Sequence, residues 1–129
     1  MSKGMPRILI VDDDKDLLAV VKSLLHKKGF DVSVFADSDH ITDAVKSCKP
    51  QLILLDVFLA GVDGLDVCKR LKASPYSRNI PIIIFSAYPR VAETAIYEFG
   101  ANDFIAKPFE VNDLVRKIHK VLSKKHESV

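Results

Sequence analysis

The feature that most limits what this chain can fold into is a rhythm. Short apolar runs, rich in Ile, Val and Leu, alternate with segments whose apolar residues recur at helical spacing. RILIV (7–11) is followed by Leu17, Leu18, Val21, Leu24 and Leu25 until Gly29 closes the turn. Phe30, Val32 and Val34 alternate as a half-buried strand does, Ser38 is placed to cap a helix through about Ser47, and Pro50 stops it. LILL (52–55) ends on Asp56, AGVDG forms its loop, and Leu65, Val67, Cys68 and Leu71 predict a third helix. IIIF (82–85) ends on Ser86, and Ala92, Ala95, Ile96 and Phe99 predict a helix ending at Gly100. DFIA (103–106) leads through Lys107 and Pro108 into a last helix predicted through Leu122. Five strand–helix units of this length predict an α/β fold, a parallel sheet with helices on both faces. Right-handed crossovers leave few topologies. Ligands of such open sheets bind beyond the carboxyl ends of the strands, so the residues to read are those just after each apolar run.

Those residues are Asp12 and Asp13, Asp56, Ser86 and Lys107. ILIVDDDKDLL (8–18) runs four apolar residues straight into Asp12, Asp13 and Asp14, and a helix cap accounts for only one of the three carboxylates. Three carboxylates brought within about 5 Å would repel by on the order of 3 kcal/mol per pair at an effective dielectric of about 20, which calls for a cation. All-oxygen ligands without His or thiolate favour Mg²⁺ or Mn²⁺, metals that work on phosphate. Asp56, alone at the end of a fully apolar run, suits a carboxylate nucleophile. Ser86 is placed to donate to a phosphoryl oxygen, and Lys107 to offset charge on the transferring group.

Composition excludes other classes. With 129 residues, 48% hydrophobic and 28% charged, the chain is expected to be a single soluble domain over 1–129. No apolar run approaches the roughly 20 residues of a membrane span, and MSKGMPR lacks the apolar stretch of a signal peptide. A cytoplasmic protein without a membrane partner is expected. Cys48 and Cys68 read as packed, reduced thiols, and His26, His40, His119 and His126 lack ligand spacing. A net charge of +2 is too small to argue for nucleic acid, and the basic run VRKIHKVLSKKHE reads as a solvated helix end.

The strings ILIVDDD, PQLILLDVFLAGVDG, IPIIIFSA and GANDFIAKPF, in this order, resemble the receiver domain of two-component response regulators, over a core of about residues 7–122. The resemblance implies a flavodoxin-like doubly wound sheet of strand order 2-1-3-4-5. It implies phosphorylation of Asp56, with Asp13, Asp56 and the Phe58 carbonyl binding Mg²⁺ directly and Asp12 acting through water. Ser86 and Lys107 would contact the phosphoryl group, Ser86 and Phe104 would form the switch, and Asp14 would cap the first helix. It further implies a cis Lys107–Pro108 peptide and a lifetime set by the residues two after Asp56 and Ser86, here Phe58 and Tyr88.

The implied partners are a histidine kinase or histidine phosphotransfer protein and a downstream protein target. A phosphorylation-dependent homodimer is a further one, and nucleic acid is not expected without an effector domain. The implied chemistry is self-catalysed phosphotransfer and slow autodephosphorylation, not turnover of a separate substrate. Ala60, Ser86 and Phe104 depart from the family's commoner Pro, Thr and Tyr without removing a catalytic group. Two rivals compete: a haloacid-dehalogenase-type phosphatase using Asp12, Asp14, Ser86 and Lys107, and a phosphorylation-independent interaction module.

Overall fold

The computed structural model describes residues 4–59, 62–88 and 90–127, with the side chains of 58, 59, 62 and 125–127 outside that description. Five strands, β1 (Arg7–Val11), β2 (Asp31–Phe35), β3 (Leu52–Asp56), β4 (Ile82–Ser86) and β5 (Asp103–Ala106), pair in parallel in the order β2-β1-β3-β4-β5. Between and after them run α1 (Lys15–Lys27), α2 (Ile41–Cys48), α3 (Gly64–Ala73), α4 (Val91–Glu98) and α5 (Val111–Glu127).

Side chains alternate across a strand, so each wholly apolar run must be covered on both faces. Leu9, Val11, Ile53, Leu55, Ile82 and Ile84 pack against Ile41, Val45, Val67, Leu71 and Ala95 of α2, α3 and α4. Ile8, Ile10, Leu52, Leu54, Ile83 and Phe85 pack against Leu18, Val21, Leu25, Leu114 and Ile118 of α1 and α5. Burying each such side chain is worth about 1.5–3 kcal/mol, and the central strand holds Leu52 to Leu55 at 1% exposure or less.

Three local expectations meet corrections. Ser38 does not cap α2 through its side chain. The helix begins at Ile41 with His40 as cap residue, and the Ile41 N–H donates to the Ser38 carbonyl. The loop after β3 contains a two-residue hairpin, Phe58–Leu59 against Val62–Asp63, while Ala60 and Gly61 lie outside the described residues. The last helix continues past Leu122 to Glu127, its basic run favouring the negative end of the helix dipole. Gly29 and Gly100 adopt positive φ, +98° and +83°, at the turns their positions predict.

Cys48 and Cys68 are free thiols. Burial pushes the Cys68 thiol up to about 11 despite nearby Lys72, so it stays protonated and inert. Among the described residues no helix is long and apolar enough to cross a membrane.

Candidate functional site

The winding reverses between β1 and β3, the neighbours from which the chain progresses outward in opposite directions. At the carboxyl edge there, the pleat decides which residues meet. Ile8, Ile10, Leu52, Leu54, Ile83, Phe85 and Ile105 share the α1/α5 side of the sheet. Continuing that alternation carries Asp12, Asp56 and Lys107 to the same side. Ser86 follows Ile82 and Ile84 on the opposite side, and Phe104 packs against the cluster beneath α2, α3 and α4.

The distances agree with that parity. Carboxylate oxygens of Asp12, Asp13 and Asp56 all lie within 4.8 Å of one another, the only such grouping of three His, Cys, Asp or Glu ligand atoms among the described residues. The Lys107 ammonium lies 2.7 Å from Asp12 Oδ2 and 3.6 Å from Asp56 Oδ2. Asp12 is fully buried and Asp56 is 5% exposed, whereas Asp13 is exposed. The two largely dry carboxylates, Asp12 and Asp56, thus face the Lys107 ammonium, and the wet one, Asp13, lies beside them. The donor set, carboxylates without imidazole or thiolate, fits Mg²⁺ or Mn²⁺ rather than Zn²⁺.

Asp14, the third aspartate of the run, stands apart. Its carboxylate accepts the Leu17 N–H at 3.1 Å as the cap of α1, and its own N–H donates to Asp12 Oδ1 at 2.9 Å. The cap orders the turn that presents Asp12 and Asp13. It also removes Asp14 from the place that a phosphatase built on Asp12 and Asp14 would need.

Ser86 is buried; its Oγ accepts the Tyr88 N–H at 3.1 Å, and its carbonyl accepts the Lys107 N–H at 2.8 Å. The strand ends carrying Ser86 and Lys107 are thus tied together. The Lys107–Pro108 peptide is cis. Tyr88 is 58% exposed, and the Phe58 side chain lies outside the described residues. Phe104 is half-buried.

Two residues of the site are missed by sequence reasoning. Phe85 is hidden inside an apolar run, yet the Lys107 ammonium lies 4.7 Å from its ring centroid. Gly64 opens α3 against the end of β3: its N–H donates to the Val57 carbonyl at 2.6 Å. A Cβ there would collide with the Asp56 carbonyl oxygen and stand 2.7 Å from Val57 Cα. Gly64→Ala is therefore expected to destabilise the fold by about 1–3 kcal/mol and to displace Asp56, as read by the urea midpoint and the Asp56 backbone amide resonance. In the sequence Gly64 is simply the last residue of the AGVDG loop, which spacing alone does not distinguish from an ordinary turn.

The family of the response regulator receiver domain matches residues 8–119. The DNA-binding response regulator MtrA of Mycolicibacterium smegmatis is 34% identical over 122 residues, covering 94% of this chain and 52% of that protein. The DNA-binding dual master transcriptional regulator RpaA of Synechocystis is 33% identical, covering 92% and 49%. This chain thus spans about half the length of the curated relatives it matches. Among solved structures, a putative response regulator from Chloroflexus aurantiacus superposes with a TM-score of 0.85 at 31% identity, covering 94% of this chain and 99% of that one. The receiver domain of NtrX from Brucella abortus gives 0.81 at 31%, covering 90% and 98%. With a family match over nearly the whole strand-and-helix framework, this chain belongs to the response regulator receiver domains of two-component systems.

Proposed function

We propose that the chain is a phosphorylation switch in which Asp56 accepts a phosphoryl group from the phosphohistidine of a kinase or phosphotransfer protein. The observation that carries this reading is the meeting of Asp12, Asp13 and Asp56 with the Lys107 ammonium at one strand edge. In the transfer, the donor's N–P bond breaks, an Asp56 Oδ–P bond forms, and the imidazole leaves with a proton from solvent. Asp56 is the nucleophile because it is the strand-terminal carboxylate whose oxygen lies beside, but not hard against, Lys107. Lys107 meets negative charge as it gathers on the phosphoryl oxygens, and the Ser86 hydroxyl donates to one of them.

Asp12, Asp13 and Asp56, with the Phe58 carbonyl that the family resemblance adds, would hold Mg²⁺ or Mn²⁺, which when bound supplies positive charge to the phosphoryl oxygens. The test is acetyl phosphate with and without Mg²⁺, followed by mass spectrometric location of the acyl phosphate. Modification confined to Asp56 and dependent on the metal is expected. Modification of Asp12, or none at all, overturns the reading.

Output is proposed to run through Ser86 and Phe104, which share the α2–α4 side of the sheet. Of the residues of α4 only Ala95 is fully buried, so the helix is thinly anchored and suited to a shift. The phosphoryl group biases this element only through its differing contacts in the two states. Phe104 is expected to change its side-chain environment when beryllofluoride binds, as read by its aromatic resonances. Unchanged resonances would sink the mechanism. The switched face would act on a protein target, on a second copy of the chain or, within a longer protein such as MtrA, on a DNA-binding part.

Tyr88 and Phe58 offer no carboxylate or amide to align water opposite the phosphorylated Asp56, so the phosphoryl group is proposed to be long-lived. Tyr88→Glu and Phe58→Asn are expected to speed dephosphorylation several-fold at saturating Mg²⁺. Equal decay in wild type and both variants would show that the pair does not set the lifetime.

A further inference from the structure

The Lys107 side chain is held at both ends. Its backbone N–H is fixed to the Ser86 carbonyl at 2.8 Å, and its ammonium to Asp12 Oδ2 at 2.7 Å. A third contact lies below: Phe85, whose ring centroid is 4.7 Å from Nζ, within the range at which an aromatic face attracts a cation. Phe85 is the register partner of Asp56 on β3 and of Ile105 on β5, so its ring rises from the α1/α5 face of the sheet, on the strand between the nucleophile's and the one that delivers Lys107. Phe109 meets it edge-on, centroids 6.2 Å apart and planes at 81°, which fixes the face that Phe85 turns to the ammonium.

Ile83, two residues earlier on the same side, is just as buried and aliphatic. We infer that Phe85 is a positioning residue for Lys107, its ring acting as a cationic seat beneath the ammonium beside Asp12 and Asp56. The inference rests on the reading of Asp56 and Lys107 given above. The carboxylate contacts are directional and must loosen as phosphoryl oxygens draw the ammonium toward themselves. Attraction to a ring face is broad and survives a slide across it. The ring thus narrows the conformations of a flexible four-carbon stem while leaving its tip free to follow the developing charge.

The test replaces Phe85 with 4-fluoro-, 3,5-difluoro- and 3,4,5-trifluorophenylalanine in the full chain. These residues keep the ring and nearly its volume while withdrawing the electron density that attracts a cation. With acetyl phosphate as donor, the maximal phosphorylation rate is expected to fall stepwise along the series. The total loss should be roughly two- to thirty-fold, with the donor concentration for half-maximal rate unchanged. A flat series, or a rise, overturns the inference. An independent readout needs neither metal nor phosphate: the Lys107 ε-methylene protons should be shifted upfield by the ring and return to ordinary positions in Phe85→Leu. Unshifted protons in the native protein also overturn it. If wild type takes no phosphoryl group on Asp56, the functional reading fails, and the ε-methylene measurement still decides whether Phe85 seats the lysine.

Discussion

Asp56→Asn is expected to abolish metal-dependent phosphorylation, lowering incorporation from acetyl phosphate by a factor on the order of 10³ or more, while leaving the fold intact. The amide cannot attack phosphorus at neutral pH, and no other carboxylate of the cluster has the same place. Asp12 is fully buried with Lys107 2.7 Å away and the Asp14 N–H on its other oxygen. Asp13 is exposed on the turn before α1. Stability moves differently from activity. Asp56 lies beside two other carboxylates, and without a metal each pair would repel by about 3 kcal/mol at an effective dielectric of about 20. Neutralising it relieves that repulsion, while the contact it weakens with Lys107 is the longer of that ammonium's two, at 3.6 Å against 2.7 Å to Asp12. The variant's urea midpoint without Mg²⁺ is therefore expected to equal or exceed that of wild type. A midpoint well below wild type, or an acyl phosphate formed at the native rate, would remove Asp56 from the role of nucleophile.

The same residues show why the sequence was informative about this site. A strand buried on both faces reads as an unbroken apolar run, so the first polar residue at or just past its end is conspicuous: Asp12 after Val11, Asp56 after Leu55, Ser86 after Phe85 and Lys107 after Ala106. Parallel pairing then aligns those ends, because the register sets Asp56 beside Phe85 and Ser86 beside Ala106. What stayed hidden depends on contacts rather than patterns. The role of Phe85 requires Lys107, a partner just past the end of the neighbouring strand; in sequence it is one more apolar residue beside Ile84. Gly64 is tight because α3 begins against the Asp56 carbonyl, a fact of packing. Ser38 has the side chain of a cap, but the helix begins two residues too late for it, with His40 at the cap position, and the Ser38 carbonyl takes the Ile41 N–H. The hairpin after β3 is too short, at two residues a strand, to impose a period.

Lys107→Ala is expected to move phosphorylation and metal affinity in opposite directions. The phosphorylation rate should fall by about 10²–10³, the usual cost of removing one preorganised group that stabilises transition-state charge. Metal-free stability should fall as well. Asp12 is fully buried, and without the ammonium its carboxylate keeps, among the described residues, the Asp14 N–H at 2.9 Å. Leaving a buried carboxylate without its cation costs about 3–5 kcal/mol. Mg²⁺ affinity should nevertheless rise, because Lys107 and the metal are attracted to the same carboxylates, and the ammonium, 2.7 Å from Asp12, competes for them. Binding to the native state alone stabilises it by about 2.7 kcal/mol at a concentration one hundred times Kd, so added Mg²⁺ should return much of the lost stability to the variant and less to wild type. Urea unfolding of both proteins across a Mg²⁺ titration measures the two effects together. Parallel stabilisation curves would show that Lys107 and the metal do not compete. Weaker binding in the variant would show instead that the lysine helps to assemble the carboxylates, with its removal letting Asp12 turn away from the cluster.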